Sequence, residues 1–164
     1  EFNSSEASVI GLELSAQHTY TLSADYDLPI SLSYTYTKGE FDNAFISDFS
    51  MWGAVEAGDA LPYLPENQLT LDIGLAANAW QVNLITRYIS EMKEASGEGV
   101  LLSGVTTEAL TVVDIAASYE LGEMGNVYFK VDNVFDDQEM VSHRPYGARP
   151  SKPRSAMVGY QYSF

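Results

Sequence analysis

The sequence predicts an all-β protein, an antiparallel transmembrane β-barrel segment of about seven strands. Three observations predict it. In segment after segment, apolar residues recur with a period of two, as in strands and not in helices. The apolar faces of these segments carry no Asp, Glu, Lys or Arg, and the links between them alternate between short and long. Membrane barrels combine these features because one strand face meets lipid and the other meets water.

The first two predicted strands are residues 8–17 and 29–37. In each, four apolar or aromatic side chains alternate with small or polar ones. Their apolar faces are Ile10, Leu12, Leu14 and Ala16, then Ile30, Leu32, Tyr34 and Tyr36. The second run is the clearest strand signal in the chain, since β-branched and aromatic residues favour pleated sheet.

The third and fourth predicted strands are residues 68–76 and 80–89, and only three residues separate them. Their apolar faces are Leu69, Leu71, Ile73 and Leu75, then Trp80, Val82, Leu84, Thr86 and Tyr88. Both runs keep the period of two, which predicts antiparallel neighbours joined by a very short turn.

The last three predicted strands are residues 110–121, 127–135 and 156–164. A glycine-containing turn over residues 122–126 separates the first two of them. The apolar faces are Val113, Ile115, Ala117, Tyr119 and Leu121, then Val127, Phe129, Val131 and Phe135, then Ala156, Val158, Tyr160, Tyr162 and Phe164.

The lengths of the links predict an orientation. The short links are residues 18–28, 77–79 and 122–126, and the long ones are 38–67, 91–109 and 136–154. Outer-membrane barrels have short periplasmic turns and longer extracellular loops. The pattern therefore predicts a bacterial outer-membrane protein with a periplasmic C-terminus.

The charged residues of the strands fall opposite the apolar faces, so we expect Asp72, Arg87 and Lys130 to face the lumen. Arg or Lys facing lipid at the bilayer midplane would cost roughly 2–4 kcal/mol. A soluble antiparallel sandwich or lipocalin-like barrel also alternates. The even run from Ile30 to Tyr36 is less expected in a packed core, which needs side chains of mixed size.

Composition excludes several function classes. The 164 residues carry 23 acidic and 8 basic side chains, a formal charge of −15, which disfavours a nucleic-acid partner. The absence of cysteine removes thiolate nucleophiles and cysteine-ligated metals. Neither His18 nor His143 has a catalytic partner at a telling spacing, and the acids lack EF-hand spacing. We therefore expect no catalytic residue, no metal site, no cofactor and no enzyme activity.

Four motifs carry a resemblance to a known family. Asn133-Val134-Phe135-Asp136 resembles an Asn-Leu-Phe-Asp signature, and residues 144–154 resemble an Arg-Pro-x-Gly-x-Arg-Pro-Gly-x-Pro-Arg segment. Gly11-Leu12-Glu13 and the Leu-Pro-x-x-Pro pattern of residues 61–69 add to the match. In these features the chain resembles the C-terminus of TonB-dependent outer-membrane receptors similar to ferric dicitrate and siderophore receptors. Val134, Glu139 and Ser151 depart from the usual Leu, aromatic and Gly.

The resemblance implies a plugged barrel of about 22 strands, of which residues 1–164 would be the C-terminal part. The plug and the box that binds TonB would lie in a missing N-terminal part. It also implies uptake of a ferric siderophore or ferric citrate-like chelate, and contact with outer-membrane lipid and lipopolysaccharide. The barrel-assembly machinery would read the C-terminal strand through Val158, Tyr160, Tyr162 and Phe164.

A basic cluster precedes the last strand and is the main candidate for ligand binding. It comprises His143, Arg144, Arg149, Lys152 and Arg154, and Trp52 of the first long loop is a further candidate. Arginine forks match the carboxylate oxygens of an anionic chelate. The alternative is that these cations pair with lipopolysaccharide phosphates or with acidic neighbouring loops.

Two other functions stay open at this point. A small self-contained outer-membrane barrel, with one strand undetected, would act as an adhesin or structural protein. A TonB-dependent receptor for a non-iron ligand, such as cobalamin or a saccharide, would share the same motifs.

Overall fold

The computed structural model describes residues 6–49, 51–97, 106–144 and 147–162. Phe164 of the predicted last strand lies outside the described residues, as do Pro145 and Tyr146 of the basic segment. The described chain contains one short 3-10 helix, Gly122–Met124, and is otherwise built of strands and loops. Within these ranges no helix has the length and apolar character needed to cross a membrane.

Seven long strands form one antiparallel sheet, and four short strands form two small ladders. In chain order the strands are β1 (Ala7–Thr21), β2 (Asp27–Phe41), β3 (Phe45–Ile46), β4 (Ala54–Val55), β5 (Asn67–Ala76), β6 (Trp80–Ile89), β7 (Leu110–Glu120), β8 (Asn126–Asp132), β9 (Met140–Ser142), β10 (Arg149–Pro150) and β11 (Ser155–Gln161). The sheet order is β1-β2-β5-β6-β7-β8-β11. Each long strand therefore pairs with the next long strand along the chain, and the all-β antiparallel prediction is confirmed.

The strand register places the predicted apolar residues on one continuous face. Residues directly opposite one another on neighbouring strands share a face of the sheet. One such row, read from β2 to β11, is Ile30, Ile73, Leu84, Ile115, Val131 and Ala156. The period of two along each strand and the register between strands therefore agree.

Among the described residues, none form a core against this apolar face. Side chains on it are widely exposed, and Val158 reaches 71%. The buried apolar residues of the described chain are instead Phe41, Val55 and Ala95, which lie at the end of β2 and in the long links. An exposed apolar face of this extent is what a lipid-facing sheet requires.

The long links all connect strands at the same end of the sheet, as predicted. They span residues 42–66, 90–109 and 133–154, and we call them the first, second and third long loops. We call this end of the sheet the loop end. The opposite end, where the short links of residues 22–26, 77–79 and 121–125 lie, is the turn end. The β3–β4 ladder lies in the first long loop and the β9–β10 ladder in the third.

The boundaries of the first two strands differ from the prediction. Both strands run for 15 residues, and the link between them shrinks to a turn in which the Tyr26 carbonyl accepts the Leu22 N–H at 2.9 Å. The prediction that His18 lies in a turn is wrong, because His18 lies in β1 opposite Ile30. Pro29 is unfavourable in a strand because it has no N–H to donate. β2 accommodates it because the β2–β5 pairing is interrupted at this position.

The predicted extension of β8 to Phe135 is also wrong. β8 ends at Asp132 because Asn133 and Asp136 adopt φ values of 52° and 60°, which leave the extended region. Phe135 stands between them, 67% exposed, in a turn rather than a strand. Similarly, β11 ends at Gln161, so Tyr162 follows the strand.

Candidate functional site

A buried carboxylate of β7 joins β6 and the residue that follows β8 on the polar face of the sheet. Asp114, in the middle of β7, is 2% exposed. Its Oδ2 accepts a hydrogen bond from Arg87 Nη1 of β6 at 2.5 Å, and its Oδ1 accepts one from the Asn133 backbone N–H at 2.8 Å. A buried charge requires such partners, so Arg87 and Asn133 offset its desolvation.

Asn133 attaches the third long loop to the end of β8. Its side-chain amide donates to the carbonyls of Asp137, at 2.8 Å, and Lys152, at 2.9 Å, while its Oδ1 accepts the Asp137 N–H at 3.2 Å. Asparagine tolerates the left-handed φ at this position better than most residues. These contacts give a physical reason for Asn at the start of the Asn-Val-Phe-Asp run.

Sequence reasoning recognised this run but missed the contact between Asn133 and Asp114. A signal was present, because aspartate is depleted in strand interiors and one in mid-strand calls for a partner. The identity of the partner depends on the register of β7 and β8, which the sequence pattern alone leaves open.

The three residues predicted to face the lumen lie on the polar face. Arg87 is opposite Thr70 and Val112, off the apolar rows, and Asp72 accepts a hydrogen bond from the Asn83 side chain at 2.7 Å. Lys130 binds Asp132 Oδ1 at 2.6 Å. Each of these charges therefore finds a polar neighbour on its own face.

All three long loops meet at the pair Glu94 and Arg144. Glu94 of the second long loop is 2% exposed, and its Oε1 accepts the His143 backbone N–H at 2.6 Å. Its Oε2 lies 3.4 Å from His143 Nδ1 and 3.9 Å from Arg144 Nε, both of the third long loop. The Arg144 guanidinium also contacts Met51 Sδ of the first long loop. Glu94 and Arg144 thus connect all three loops.

A second contact holds the first and second long loops together. The Ser96 hydroxyl donates to the Ala60 carbonyl. Gly97, at φ 80°, lies so close to the Trp52 and Ala54 carbonyl oxygens that a Cβ would not fit. Glycine is required here for both reasons, conformation and space.

Trp52 belongs to an aromatic cluster of the first long loop. Its ring lies 5.8 Å from that of Phe41 and 6.4 Å from that of Phe49, and Phe41 lies 5.2 Å from Phe45. These near-perpendicular arrangements are favourable aromatic geometry. Phe41 is buried, whereas Phe49 is 46% exposed and presents the outer surface of the cluster.

The basic cluster of the sequence is divided among several partners. His143 and Arg144 face Glu94, and Lys152 binds Asp132 Oδ2 at 2.6 Å. Arg154 donates through its side chain to the Val134 carbonyl at 3.3 Å. Arg149 is exposed in β10, opposite Ser142. These pairings agree with the alternative in which several of the cations pair with acidic neighbours.

Over the whole chain, the basic residues are confined to the loop end of the sheet. The eight basic residues are Lys38, Arg87, Lys93, Lys130, Arg144, Arg149, Lys152 and Arg154. All of them lie in the long loops or in the strand halves next to the loop end. Acidic residues, in contrast, are spread over both ends. An anion would therefore find its cationic partners at the loop end.

Two acidic residues also meet between the second and third long loops. The Met140 N–H donates to Glu108 Oε2 at 2.8 Å and lowers the pKa of Glu108, with a smaller contribution from the hydrogen bond to Glu139. The pKa of Glu139 is raised, first by its hydrogen bond with Glu108 and then by the charge of Glu108. Glu139 therefore keeps its proton to a higher pH than an ordinary glutamate, and Glu108 loses its proton at a lower pH.

The described residues contain no group of three or more His, Cys, Asp or Glu side chains placed to hold a metal ion. The ring of His18 packs against Tyr20 of the same strand, with ring centroids 4.3 Å apart.

Comparisons with known proteins agree with this architecture. The family model described as "TonB dependent receptor-like, beta-barrel" matches residues 2–134. Among solved structures, the closed form of the ferric-catecholate import receptor Fiu from K12 E. coli has a TM-score of 0.70 and 24% identity over 93% of this chain. The copper transporter OprC has a TM-score of 0.66 and 19% identity over 96% of this chain. The open form of Fiu has a TM-score of 0.54 and 20% identity over 93% of this chain.

At these identities the structural likeness shows a shared fold. The chain spans 20% and 26% of the two Fiu structures and 23% of OprC. No curated protein matches the chain in sequence.

Proposed function

The chain belongs to the TonB-dependent receptor β-barrel family of the bacterial outer membrane, and from this premise we propose that it forms the C-terminal wall of a transporter for ferric siderophores or ferric citrate-like chelates. The family is one of receptors and transporters rather than enzymes. In this proposal the seven-stranded sheet is barrel wall, and the three long loops are extracellular.

The proposed mechanism divides the work between this chain and the rest of the receptor. The loops capture the ligand outside the cell, and TonB then displaces the plug so that the ligand passes to the periplasm. The plug and the segment that contacts TonB belong to the missing N-terminal part. This chain contributes the wall and three loops that act together because Glu94 and Arg144 connect them.

The ligand proposal rests on one observation: all eight basic residues lie in the long loops or in the strand halves next to the loop end. Ferric chelates with carboxylate or catecholate oxygens are anionic, and arginine recognises paired oxygens well. Arg149 is one candidate, since it is exposed on β10 at the loop end. Fiu, one of the similar structures, is named as a ferric-catecholate importer.

The last strand supports a further part of the proposal. Val158, Tyr160 and Tyr162 are exposed and apolar or aromatic, with the period of two. With Phe164, they form the segment that the barrel-assembly machinery would read, and in the finished barrel they would contact lipid and lipopolysaccharide. A lipid-facing strand and an assembly signal would both require apolar or aromatic side chains at these positions.

Equilibrium binding to the purified full-length receptor tests the ligand proposal. We expect ferric citrate or a ferric catecholate to bind, and Arg149→Gln to weaken binding about three- to tenfold through loss of a charged hydrogen bond. Lys38→Gln is the matched control, because Lys38 is bound to Glu40 and stands opposite Ile10, on the apolar face and away from the polar face. Binding of copper, cobalamin or a saccharide with no ferric chelate bound would contradict the iron assignment.

A further inference from the structure

We propose that the polar face carries a binding site for a small organic anion with an apolar body, in a cavity of 390 Å³ at the loop end. The cavity lies over β6, β7 and β8 and is bounded on the other side by residues of the third long loop. Its volume falls within the range of about 300–1,000 Å³ that is usual for small-molecule sites.

The apolar residues that line the cavity indicate that the ligand has an apolar body. Ile89, Leu110 and Val112 line the cavity from β6 and β7, and Val141 closes it from β9. Small-molecule sites combine such apolar walls with a few convergent polar groups that fix orientation. A hydrated inorganic ion would gain nothing from these walls, whereas an aliphatic or aromatic ring would fill them.

The charge of the ligand is indicated by the polar groups. Three cations, Arg87, Lys130 and Lys152, line the cavity against two carboxylates, Asp114 and Asp132. The site therefore has one excess positive charge in a chain of net charge −15. Each lysine ammonium has three donors, and its bond to Asp132 uses one of them.

These cations are held in position before a ligand arrives. Asp114 is buried and fixed by the Asn133 N–H, and it orients Arg87 at 2.5 Å. Asp132 holds one ammonium on each of its oxygens, at 2.6 Å each. The fixed position of Arg87 lowers the entropic cost of binding, whereas Asp132 competes with an anionic ligand for the two ammoniums.

The site is separate from the junction of the three long loops, since neither Glu94 nor Arg144 lines it. It requires no iron, so it can exist even if the transported ligand is not a ferric chelate. Of the predicted basic cluster, only Lys152 takes part.

The test uses the purified full-length receptor in detergent and three isosteric probes observed by fluorine NMR. The probes are para-fluorobenzoate, para-fluorobenzamide and para-fluorobenzamidine, which carry negative, zero and positive charge on the same ring. We expect the benzoate to bind about tenfold more tightly than the benzamide, and the benzamidine to bind more weakly than either.

Two variants test the assigned charges. Asp132→Asn adds one unit of positive charge and releases both ammoniums, so benzoate should bind about three- to tenfold more tightly, an effect that a purely structural loss would not produce. Lys130→Gln should weaken benzoate by a similar factor, and Lys38→Gln should leave it unchanged. Equal binding of benzoate and benzamide, or weaker binding in Asp132→Asn, would overturn the proposal.

No binding of any probe to the full receptor would also overturn it, because the rest of the polypeptide would then occupy the cavity. Iron uptake is measured separately, and its failure would overturn the proposed function without touching this site.

Discussion

At the residue scale, the buried carboxylate of Asp114 makes the stability of the fold depend on its counter-ion, Arg87. Replacing Arg87 with Met leaves this carboxylate with the Asn133 N–H but without its counter-ion. Because the Arg87 side chain is partly exposed, we expect a loss of about 1–3 kcal/mol in unfolding free energy rather than the larger value for a fully buried pair. Denaturant unfolding of the full receptor measures it.

The double variant Arg87→Met with Asp114→Asn serves as the internal comparison. It removes both charges, so it should recover part of the stability that Arg87→Met loses. If the double variant is less stable than the single one, the buried charge is not the cause of the loss.

Asn133 offers a test that separates backbone from side chain. Asn133→Ala loses the side-chain bonds to Asp137 and Lys152 and must also adopt a φ of 52°, whereas Asn133→Gly loses only the bonds. We expect both to destabilise, and the alanine variant to be less stable than the glycine variant by about 1 kcal/mol. Equal stabilities would show that the left-handed backbone is unimportant here.

The Glu108 and Glu139 pair predicts a pH response in the loops. The folded pKa of Glu139 lies above its ordinary value because of Glu108, so the contact is favoured as pH falls through that pKa and weakens as pH rises above it. Glu108→Gln should lower the pKa of Glu139 towards its ordinary value. Carbon NMR titration of labelled glutamate carboxyls checks this, and an unshifted Glu139 would contradict it.

At the element scale, the sequence pattern predicts strand faces well and strand ends poorly. Alternation over β5, β6 and β7 assigns their residues to the correct faces, because successive side chains of a strand point to opposite faces of the sheet. The end of β8 depends on Asn133 and Asp136 adopting positive φ, which alternation does not encode.

The candidate site was predictable in composition but not in contacts. The density of cations near the last strand is visible in the sequence, and it does lie at the loop end. Their partners come from distant segments, such as Glu94 for Arg144 and Asp132 for Lys152. Such pairs between distant segments depend on how the loops pack, so the local sequence pattern does not predict them.

The packing of the second long loop against the first gives a prediction at this scale. Gly97→Ala places a Cβ against the Trp52 and Ala54 carbonyls, whereas Gly58→Ala, also at positive φ, has open space around its Cβ. We therefore expect Gly97→Ala to loosen the loops and to speed their cleavage by an added protease on intact cells. Gly58→Ala should show the smaller change, and equal cleavage in both variants would contradict the packing role.

At the scale of the whole molecule, the proposed function makes this sheet one part of a closed barrel. Its first and last strands, β1 and β11, each pair with only one neighbour among the described strands, and an unpaired edge is not tolerated in lipid. In the proposed receptor, further strands would pair with these two and close the barrel. The exposed apolar face would then be the lipid-facing wall, the polar face the lumen wall, and the joined loops the extracellular surface.

The central claim is that this wall belongs to an importer of ferric chelates. The most direct measurement is uptake of radiolabelled iron, supplied as ferric citrate and as a ferric catecholate, by cells whose only ferric-chelate receptor is the full-length protein. We expect uptake that is saturable and lost when TonB is deleted. Iron uptake that is absent with both chelates, while the receptor is folded in the outer membrane, would contradict it.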